Sequence, residues 1–490
     1  MSSNVTRRSF FKGAGLAALG GLSAAALSGC GHGYAAAEPT NPSTDGPSWL
    51  GAPPVIDEAN IAETIETEVL VVGMGTGGIP AMISAAENGA KVLGIDRQGT
   101  PHNVREDIGA IDSRLQQASF DEFPEFRIEK KEAVEDIVRY ANGFVNYDLV
   151  KLWADESGAM VDWLTDIIQR DGKLVMEFEG GVGDTSDPGR DKAFATGHSP
   201  QKTDAVAEDE EWGFAESILA YAAEQGAETR WYCEFIKCET DESGRVTGVI
   251  ARDVQGDRHY LRINASKGVI LSTGDYSQNT KMLKHFCPEV IENNIQCLFT
   301  NVDVEGSFTN QGDGIQLGMW AGAQVQQSHA PMIHHMGGGA DLSGVGVMGN
   351  AGFLNLDLNG KRFMNEDLPG QQLENQVELQ PQRKAYQFFD ASWPEQLAYF
   401  PAAHGVACIY RDEPLPEYTA SGLRINVRTP ADIDAAVEEG RCLKADTIDE
   451  LLGMIEGMDV ETAKASIERY NELARAGEDT DFFKSPQRLF

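Results

Sequence analysis

Between residues 67 and 96 the sequence passes from a short apolar run, T-E-V-L-V-V, into Gly73-Met74-Gly75-Thr76-Gly77-Gly78. A helical stretch to Asn88 follows, and then Lys91-Val92-Leu93-Gly94-Ile95-Asp96. A short aliphatic run of this kind is what a parallel strand covered on both faces requires. Gly73 permits a tight turn, Gly75 lets the backbone approach a pyrophosphate, and Gly78 allows the helix to pack closely on the sheet, with Gly77 in the same loop. The helix N-terminus offers unpaired N–H groups and the positive end of its dipole to a phosphate. Pro80 falls in the first turn, where a missing N–H is tolerated, and Gly89 suits the C-cap. Asp96 arrives about 20 residues after the glycines, at a strand end where an acid binds ribose hydroxyls. Arg97 beside it is a further candidate. The order of strand, glycine turn, helix, strand and acid predicts a Rossmann-type nucleotide site without choosing between NAD and FAD.

With 490 residues, the chain has room for about two or three domains with separate cores and a cofactor-sized cleft. Its 76 Asp and Glu against 40 Lys and Arg give a net charge of −36. Such a surface repels phosphate backbones, so no nucleic-acid partner is expected. Cys30, Cys233, Cys238, Cys287, Cys297, Cys408 and Cys442 form no Cys-x-x-Cys pair, and no built-in haem or metal site is expected. Cys233 and Cys238 either pair in an oxidising compartment or lie as two buried thiols.

The first thirty residues read as an address. Thr6-Arg7-Arg8-Ser9-Phe10-Phe11-Lys12 precedes a Gly- and Ala-rich run over 13–26, the pattern of a twin-arginine export signal. That run is shorter than the roughly 20 apolar residues that span a bilayer. Leu27-Ser28-Gly29-Cys30 then matches a lipobox, in which Cys30 receives a lipid after cleavage; the other reading is a simple cleaved signal with Cys30 incidental. The expected location is periplasmic or on the extracytoplasmic face of the membrane, with the lipid on Cys30 as the one membrane attachment. Residues 31–62, rich in Ala, Pro, Ser and Gly, read as a flexible linker, and the globular part is expected to begin near Glu63.

Later motifs distinguish between cofactors. Gly268-Val269-Ile270-Leu271-Ser272-Thr273-Gly274 is a second buried strand ending in Thr-Gly, preceded by a hairpin-like excursion around Gly244-Arg245-Val246-Thr247-Gly248-Val249. Thr309-Asn310-Gln311-Gly312-Asp313-Gly314 then opens a helix ending near Gly322. In this order, over about residues 65–490, these segments resemble the FAD-dependent fumarate reductase and succinate dehydrogenase flavoprotein family. The resemblance implies an α/β chain: a Rossmann-type FAD-binding domain with an inserted α+β capping domain. It places an FAD domain over 63–327, a cap over 328–480 and the start of a return to the FAD domain over 481–490. It also implies that Gly73, Gly75, Gly77, Gly78, Asp96 and Arg97 hold the ADP half. Phe235 would lie by the adenine, Gly109 and Ala110 by the isoalloxazine, and Thr273, Gly274 and Asp313 would line the cofactor. The partners implied are a small-molecule substrate and an external electron carrier, either a cytochrome or a quinone-linked donor.

On the substrate side the chain departs from that pattern. His329, His334 and His335 fall where the family begins its cap with a substrate-facing His, and each could equally be a loop histidine with a structural bond. Asn359-Gly360-Lys361-Arg362-Phe363-Met364-Asn365-Glu366 resembles the family's N-x-G-x-R-F-x-N-E segment, in register from Gly360 on, yet the position of the usual proton-donating Arg is Gly370. A Thr-Glu-x-x-Arg relay is also missing between Gly337 and Phe353, so fumarate is not the expected substrate. The remaining proton donors are His334, His335, Glu366, Tyr386 and His404. His335 and Glu366 rank first, with His334 and Asn365 as substrate contacts, although Glu366 beside Arg362 could instead anchor the cap. Thr447 to Glu450 is a capping box and 460–475 an amphipathic helix. The sequence ends at Phe490, where relatives supply further flavin- and substrate-facing segments. The two expectations are therefore an exported reductase of an unsaturated small molecule, or an incomplete, non-catalytic flavoprotein subunit needing a partner chain.

Overall fold

The computed structural model describes residues 49–101, 108–141, 145–179, 194–207, 212–292, 308–325, 351–367, 379–397 and 430–490, with a few isolated positions between them. The export signal, Cys30 and most of the linker lie outside these residues.

The first half is organised by one six-stranded sheet. In chain order its elements begin with β1 (Ile61–Val72), α1 (Gly78–Glu87) and β2 (Val92–Ile95). They continue through β3 (Ile108–Gly109), α2 (Arg114–Ala118), α3 (Lys130–Tyr140), α4 (Tyr147–Ile168), β4 (Leu174–Glu179), β5 (Gly197–Lys202) and α5 (Phe214–Glu224). Next come β6 (Glu228–Arg230), β7 (Cys233–Thr240), β8 (Val246–Asp253), β9 (Tyr260–Leu271), α6 (Thr280–Phe286), α7 (Pro288–Glu292) and α8 (Asp313–Trp320). The sheet order is β6-β2-β1-β9-β8-β7. β6, β2, β1 and β9 run parallel, while β7 and β8 form an antiparallel meander onto β9. Side chains alternate across β1 with a period of two. Val71 enters a core with α1, α4 and α5, whereas Leu70 and Val72 enter the opposite core with Phe235, Val249, Leu261, Ile263 and Leu317. Both faces are covered, which is why the run 69–72 carries no polar residue. β1 extends six residues further toward the N-terminus than its apolar run because β9 pairs along that polar half. A small second sheet, β3-β5-β4, lies between α1 and α5 in the chain.

The expected linker is shorter than 31–62. Trp49 is buried against His285 and Phe286, with ring centroids at 5.8 and 5.4 Å. Leu50 O accepts hydrogen bonds from Gln316 Nε2 at 2.8 Å and Trp320 Nε1 at 3.2 Å. Glu58 pairs with Arg262 at 2.6 Å. These partners lie over 200 residues away in sequence, so the local composition of 49–60 does not reveal them.

The second half begins with β10 (Leu354–Asp357) antiparallel to β11 (Ala385–Phe388), followed by α9 (Trp393–Leu397), α10 (Pro430–Glu438), α11 (Ile448–Gly453) and α12 (Val460–Ala476). Leu354, Leu356 and Leu358 pack on Leu452, Ile455, Tyr470 and Leu473. Gly360 turns with φ +71°, and a Cβ there would stand 2.4 Å from Ala463 N, so α12 lies directly on the turn. Thr447 caps α11 by accepting the Glu450 N–H, and Glu450 reaches back to its hydroxyl at 2.9 Å. Residues 481–490, expected to start back toward the first domain, pack here: Leu489 is in the cap core and Arg488 pairs with Asp367 at 3.0 Å. Among the described residues no helix is long and apolar enough to cross a membrane, and no group of His, Cys, Asp and Glu is arranged to hold a metal ion.

Candidate functional site

Three strand ends meet at the glycine turn. Gly73 N donates to Ile95 O at 2.9 Å and Ser272 N to Val72 O at 2.8 Å, tying the exits of β1, β2 and β9 together. Gly73 has φ +93°, and a Cβ there would lie 2.2 Å from Ser272 O; at Gly78 it would lie 1.8 Å from Gly73 O. No other residue type fits either position. The N-cap of α1 is Gly77, which contributes no side-chain cap, and the first turn carries no acid. The positive end of that helix is therefore left for an external anion.

The Asp96 carboxylate is already oriented, accepting Met74 N–H at 2.7 Å through one oxygen and Gln98 N–H at 2.9 Å through the other. Arg97 reaches Asp313 at 3.7 Å and Glu234 at 3.9 Å. Burial raises the Asp313 carboxyl above its usual range, and Arg97 opposes that shift. Gly312 turns with φ +74° into α8, where Gly314 N donates to Thr273 Oγ1 at 3.0 Å. Gly73, Gly77, Gly78, Asp96, Arg97, Thr273 and Asp313 thus gather beyond the carboxyl ends of β1, β2 and β9, with Gly274 (φ +76°) next in the chain.

Two expected neighbours of the cofactor, Phe235 and Ala110, have their side chains in the cores. The ring of Phe235 is buried in the core with Leu70, Ile95 and Val249, on the same face of β7 as Cys233 two residues before it. Only its strand is brought near the site, through Cys233 N donating to Asp96 O at 2.8 Å. Ala110 is also buried, in the core with Met74 and Val71, whereas Gly109 is exposed. Cys233 and Cys238 are free thiols, and burial pushes them up to about 12 and about 11, outside the reactive range.

Two residues beyond Asp96 stands a buried side chain that sequence reasoning passed over. Gln98 is 5% exposed, and neither its Oε1 nor its Nε2 has a hydrogen-bond partner among the described residues. Leaving such a group unsatisfied costs roughly 1–3 kcal/mol. The oriented Asp96 carboxylate, the α1 N-terminus without a side-chain cap and the close backbone approach at Gly73 and Gly78 fit a bound FAD. A lone Gln after the acid belongs to no motif, so nothing in the sequence marked it. The Gln98→Leu variant, which removes two buried polar atoms without partners, is expected to fold at least as stably as wild type, measured by thermal unfolding.

His329, His334, His335, Gly370 and His404 lie outside the described residues. Glu366 does not: it is fully buried, and both its oxygens accept from Arg362, at 2.8 and 2.8 Å. Arg362 also pairs with Asp479 at 2.8 Å, and its guanidinium lies over the rings of Tyr470 and Phe482. Lys484 is buried among Glu366 at 3.6 Å, Tyr470 OH at 2.8 Å and Gly352 O. Of the two roles open to Glu366, this geometry supports the anchor. Asn365 likewise holds a turn, accepting Asp367 N–H at 2.9 Å and donating to Phe483 O at 3.3 Å. Tyr386 packs against the cap core.

Burial alone would raise the Asp479 carboxyl, but Arg362 and the N–H groups of Phe482 and Lys484 outweigh it and hold the group at about 2. Because the folded value lies below the unfolded value of about 3.9, the stabilisation is complete above that value and is lost as pH falls toward 2. Thermal unfolding followed from pH 6 to pH 2 is expected to show the cap melting earlier through this window, and an Asp479→Asn variant to show a flatter dependence.

The fold and this cradle define a Rossmann-type dinucleotide-binding oxidoreductase carrying a second α+β unit. The chain belongs to the family described as FAD binding domain, whose model matches residues 68–489. It is 24% identical to a vinyl phenol reductase of Lactiplantibacillus plantarum, over 86% of this chain and 79% of that one. It is 23% identical to a fumarate reductase (cytochrome) of Shewanella frigidimarina, over 85% of this chain and 62% of that one. The crystal structure of a 3-ketosteroid-Δ4-(5α)-dehydrogenase from Rhodococcus jostii shares the fold with a TM-score of 0.59 at 18% identity, covering 88% of this chain and 82% of that one. The protein is thus an FAD-dependent oxidoreductase of the fumarate-reductase-like group.

Proposed function

We propose that this protein is an exported reductase that saturates a carbon–carbon double bond in a small organic substrate, using electrons from an external carrier. The observation that carries the reading is the glycine turn where β1, β2 and β9 end, with the Asp96 carboxylate oriented beside it, inside a family match that runs over residues 68–489. The relatives named above act on a vinyl phenol, on fumarate and on a ketosteroid, substrates that share an activated C–C bond and little else. FAD bound in the cradle supplies hydride transfer at its N5.

The chain's own residues divide the remaining work. Asp96 holds the adenosine side, the α1 N-terminus takes the phosphates, and Thr273 and Asp313 shape the far wall. The proton that completes saturation comes from a side chain, a role worth about 10²–10⁴ in rate. With Glu366 committed to Arg362, His335 is the first candidate, and His334 binds the substrate. Replacing His335 with Asn is expected to lower kcat about 100-fold while FAD content stays unchanged. Export rests on Arg7-Arg8 and the run that follows, and tethering rests on Cys30.

The test is to purify residues 31–490, record the visible spectrum, and follow oxidation of a reduced viologen on addition of enoates, vinyl phenols and enones. A yellow protein that oxidises the dye with one of these acceptors supports the reading. A protein that stays colourless with FAD added contradicts it and favours a chain that needs a partner.

A further inference from the structure

We propose that Ser113 and His198 form a buried clamp that fixes residues 109–113 against the flavin, making both of them positioning residues for the reaction. The inference rests on the FAD reading above, in which Gly109 faces the isoalloxazine. It concerns two side chains to which that reading gives no role.

β3 is a strand of two residues, Ile108 and Gly109, paired to His198 and Gly197 of β5. Two residues of ladder hold a segment poorly. Side chains from elsewhere in the fold hold it instead. Gly109 O accepts from Trp153 Nε1 at 2.9 Å, Ala110 N donates to Thr196 O at 2.8 Å, and Ile111 N donates to Ser157 Oγ at 3.0 Å. Asp112 N donates to Gln116 Oε1 at 2.5 Å, and the Gln116 amide in turn donates to Ala195 O at 2.7 Å. Asp112 itself has φ +66°, a left-handed conformation that a non-glycine residue keeps only where its surroundings over-determine it.

The Ser113–His198 pair closes this arrangement. Both residues are fully buried, with Ser113 Oγ 2.6 Å from His198 Nε2. His198 Nδ1 lies 2.9 Å from Thr196 O, and a carbonyl only accepts, so Nδ1 carries the proton and Nε2 is the acceptor. The Ser113 hydroxyl therefore donates to Nε2, leaving its oxygen to accept Gln116 N–H at 3.0 Å as the N-cap of α2. Desolvation depresses the imidazole's basicity, consistent with a neutral ring, and Phe178 covers it with ring centroids at 5.2 Å. The Ser113 hydroxyl and the imidazole N–H are both satisfied inside the fold. Thr196 O is the shared point, holding the Ala110 backbone and the imidazole together.

A flavin-facing segment pinned this way sets the distance between cofactor and substrate, and displacement by about 1 Å can cost up to 100-fold in rate. The experiment uses the full FAD-loaded chain with Ser113→Ala, Ser113→Thr and His198→Gln, and the viologen assay with the acceptor that the wild type turns over. Three quantities are read: FAD per chain, the shape of the visible flavin band, and kcat and KM separately. Ser113→Ala and His198→Gln are expected to keep wild-type FAD content, alter the band and lose about 10- to 100-fold in kcat with KM little changed. Ser113→Thr, which keeps the hydroxyl and the cap, is expected to restore both readouts. Wild-type band and kcat in the folded Ser113→Ala and His198→Gln proteins, with only a lowered melting temperature, would overturn the proposal, as would loss of FAD itself. If His198→Gln does not fold, the Ala and Thr variants at 113 decide through the same readouts. A colourless wild type instead sinks the FAD reading beneath, and is seen before any variant is made.

Discussion

Alanine at position 78 is expected to leave a protein that purifies without FAD and regains none at micromolar cofactor. The added Cβ would stand 1.8 Å from Gly73 O and 3.0 Å from Gly73 C, both backbone atoms of the turn itself. No rotamer change relieves this contact, so α1 must move away from the turn and carry its N-terminal N–H groups off the phosphate position. The loss is at least about 100-fold in FAD affinity, or about 2.7 kcal/mol, read by titrating the apoprotein and following flavin fluorescence. Gly89→Ala is the control at the other end of the same helix. Gly89 has φ +79° with nothing within 4 Å of its Cβ position, so the change costs backbone strain of about 1–2 kcal/mol and leaves FAD binding as it was. Equal FAD loss in both variants would mean that α1 answers to general destabilisation and not to the close approach at Gly78.

The contrast between those two glycines shows what was legible in the sequence. Residues 67–96 can be read because each constraint is local: strand, turn, helix and acid follow at fixed spacing, and the backbone geometry that demands glycine lies within the motif. Thr447 and Glu450, three residues apart, are legible for the same reason. Legibility fails where partners are distant. Trp49 and Leu50 read as linker because they meet positions 285, 316 and 320 only in the folded chain. Phe235 enters as a cofactor neighbour through the family resemblance alone, whereas its alternation with Cys233 along β7 turns its ring into the core. Gln98, Ser113 and His198 sit in no motif, and they are distinguished only by burial and by what they do or do not bond.

Glu366 is the sharpest of these cases, since one residue carries two opposed expectations. A Glu366→Gln variant is expected to lose about 3–5 kcal/mol of stability through the cap while the molecules that remain folded turn over at the wild-type rate. The cause is the company the carboxylate keeps. Arg362 and Lys484 both face it from inside the cap, their side chains 7% and 0% exposed, and Asp479 at 0% is the other carboxylate paired with Arg362. An amide in place of the carboxylate would retain the shape and one acceptor but remove a charge, leaving three buried cations, Arg362, Lys484 and Arg488, to share Asp479 and Asp367. Because Lys484 and Asp479 lie more than 100 residues from Glu366 and its pair Arg362, the N-x-G-x-R-F-x-N-E segment shows only the Arg362 half of the network. Calorimetry and single-turnover reduction at low temperature separate the two roles. A residue that delivers the substrate proton would lose about 100-fold or more in kcat with an unchanged melting temperature, and that result would return Glu366 to the reaction. A drop in melting temperature with kcat intact would place it in the anchor that joins β10, the turn after it and the end of α12.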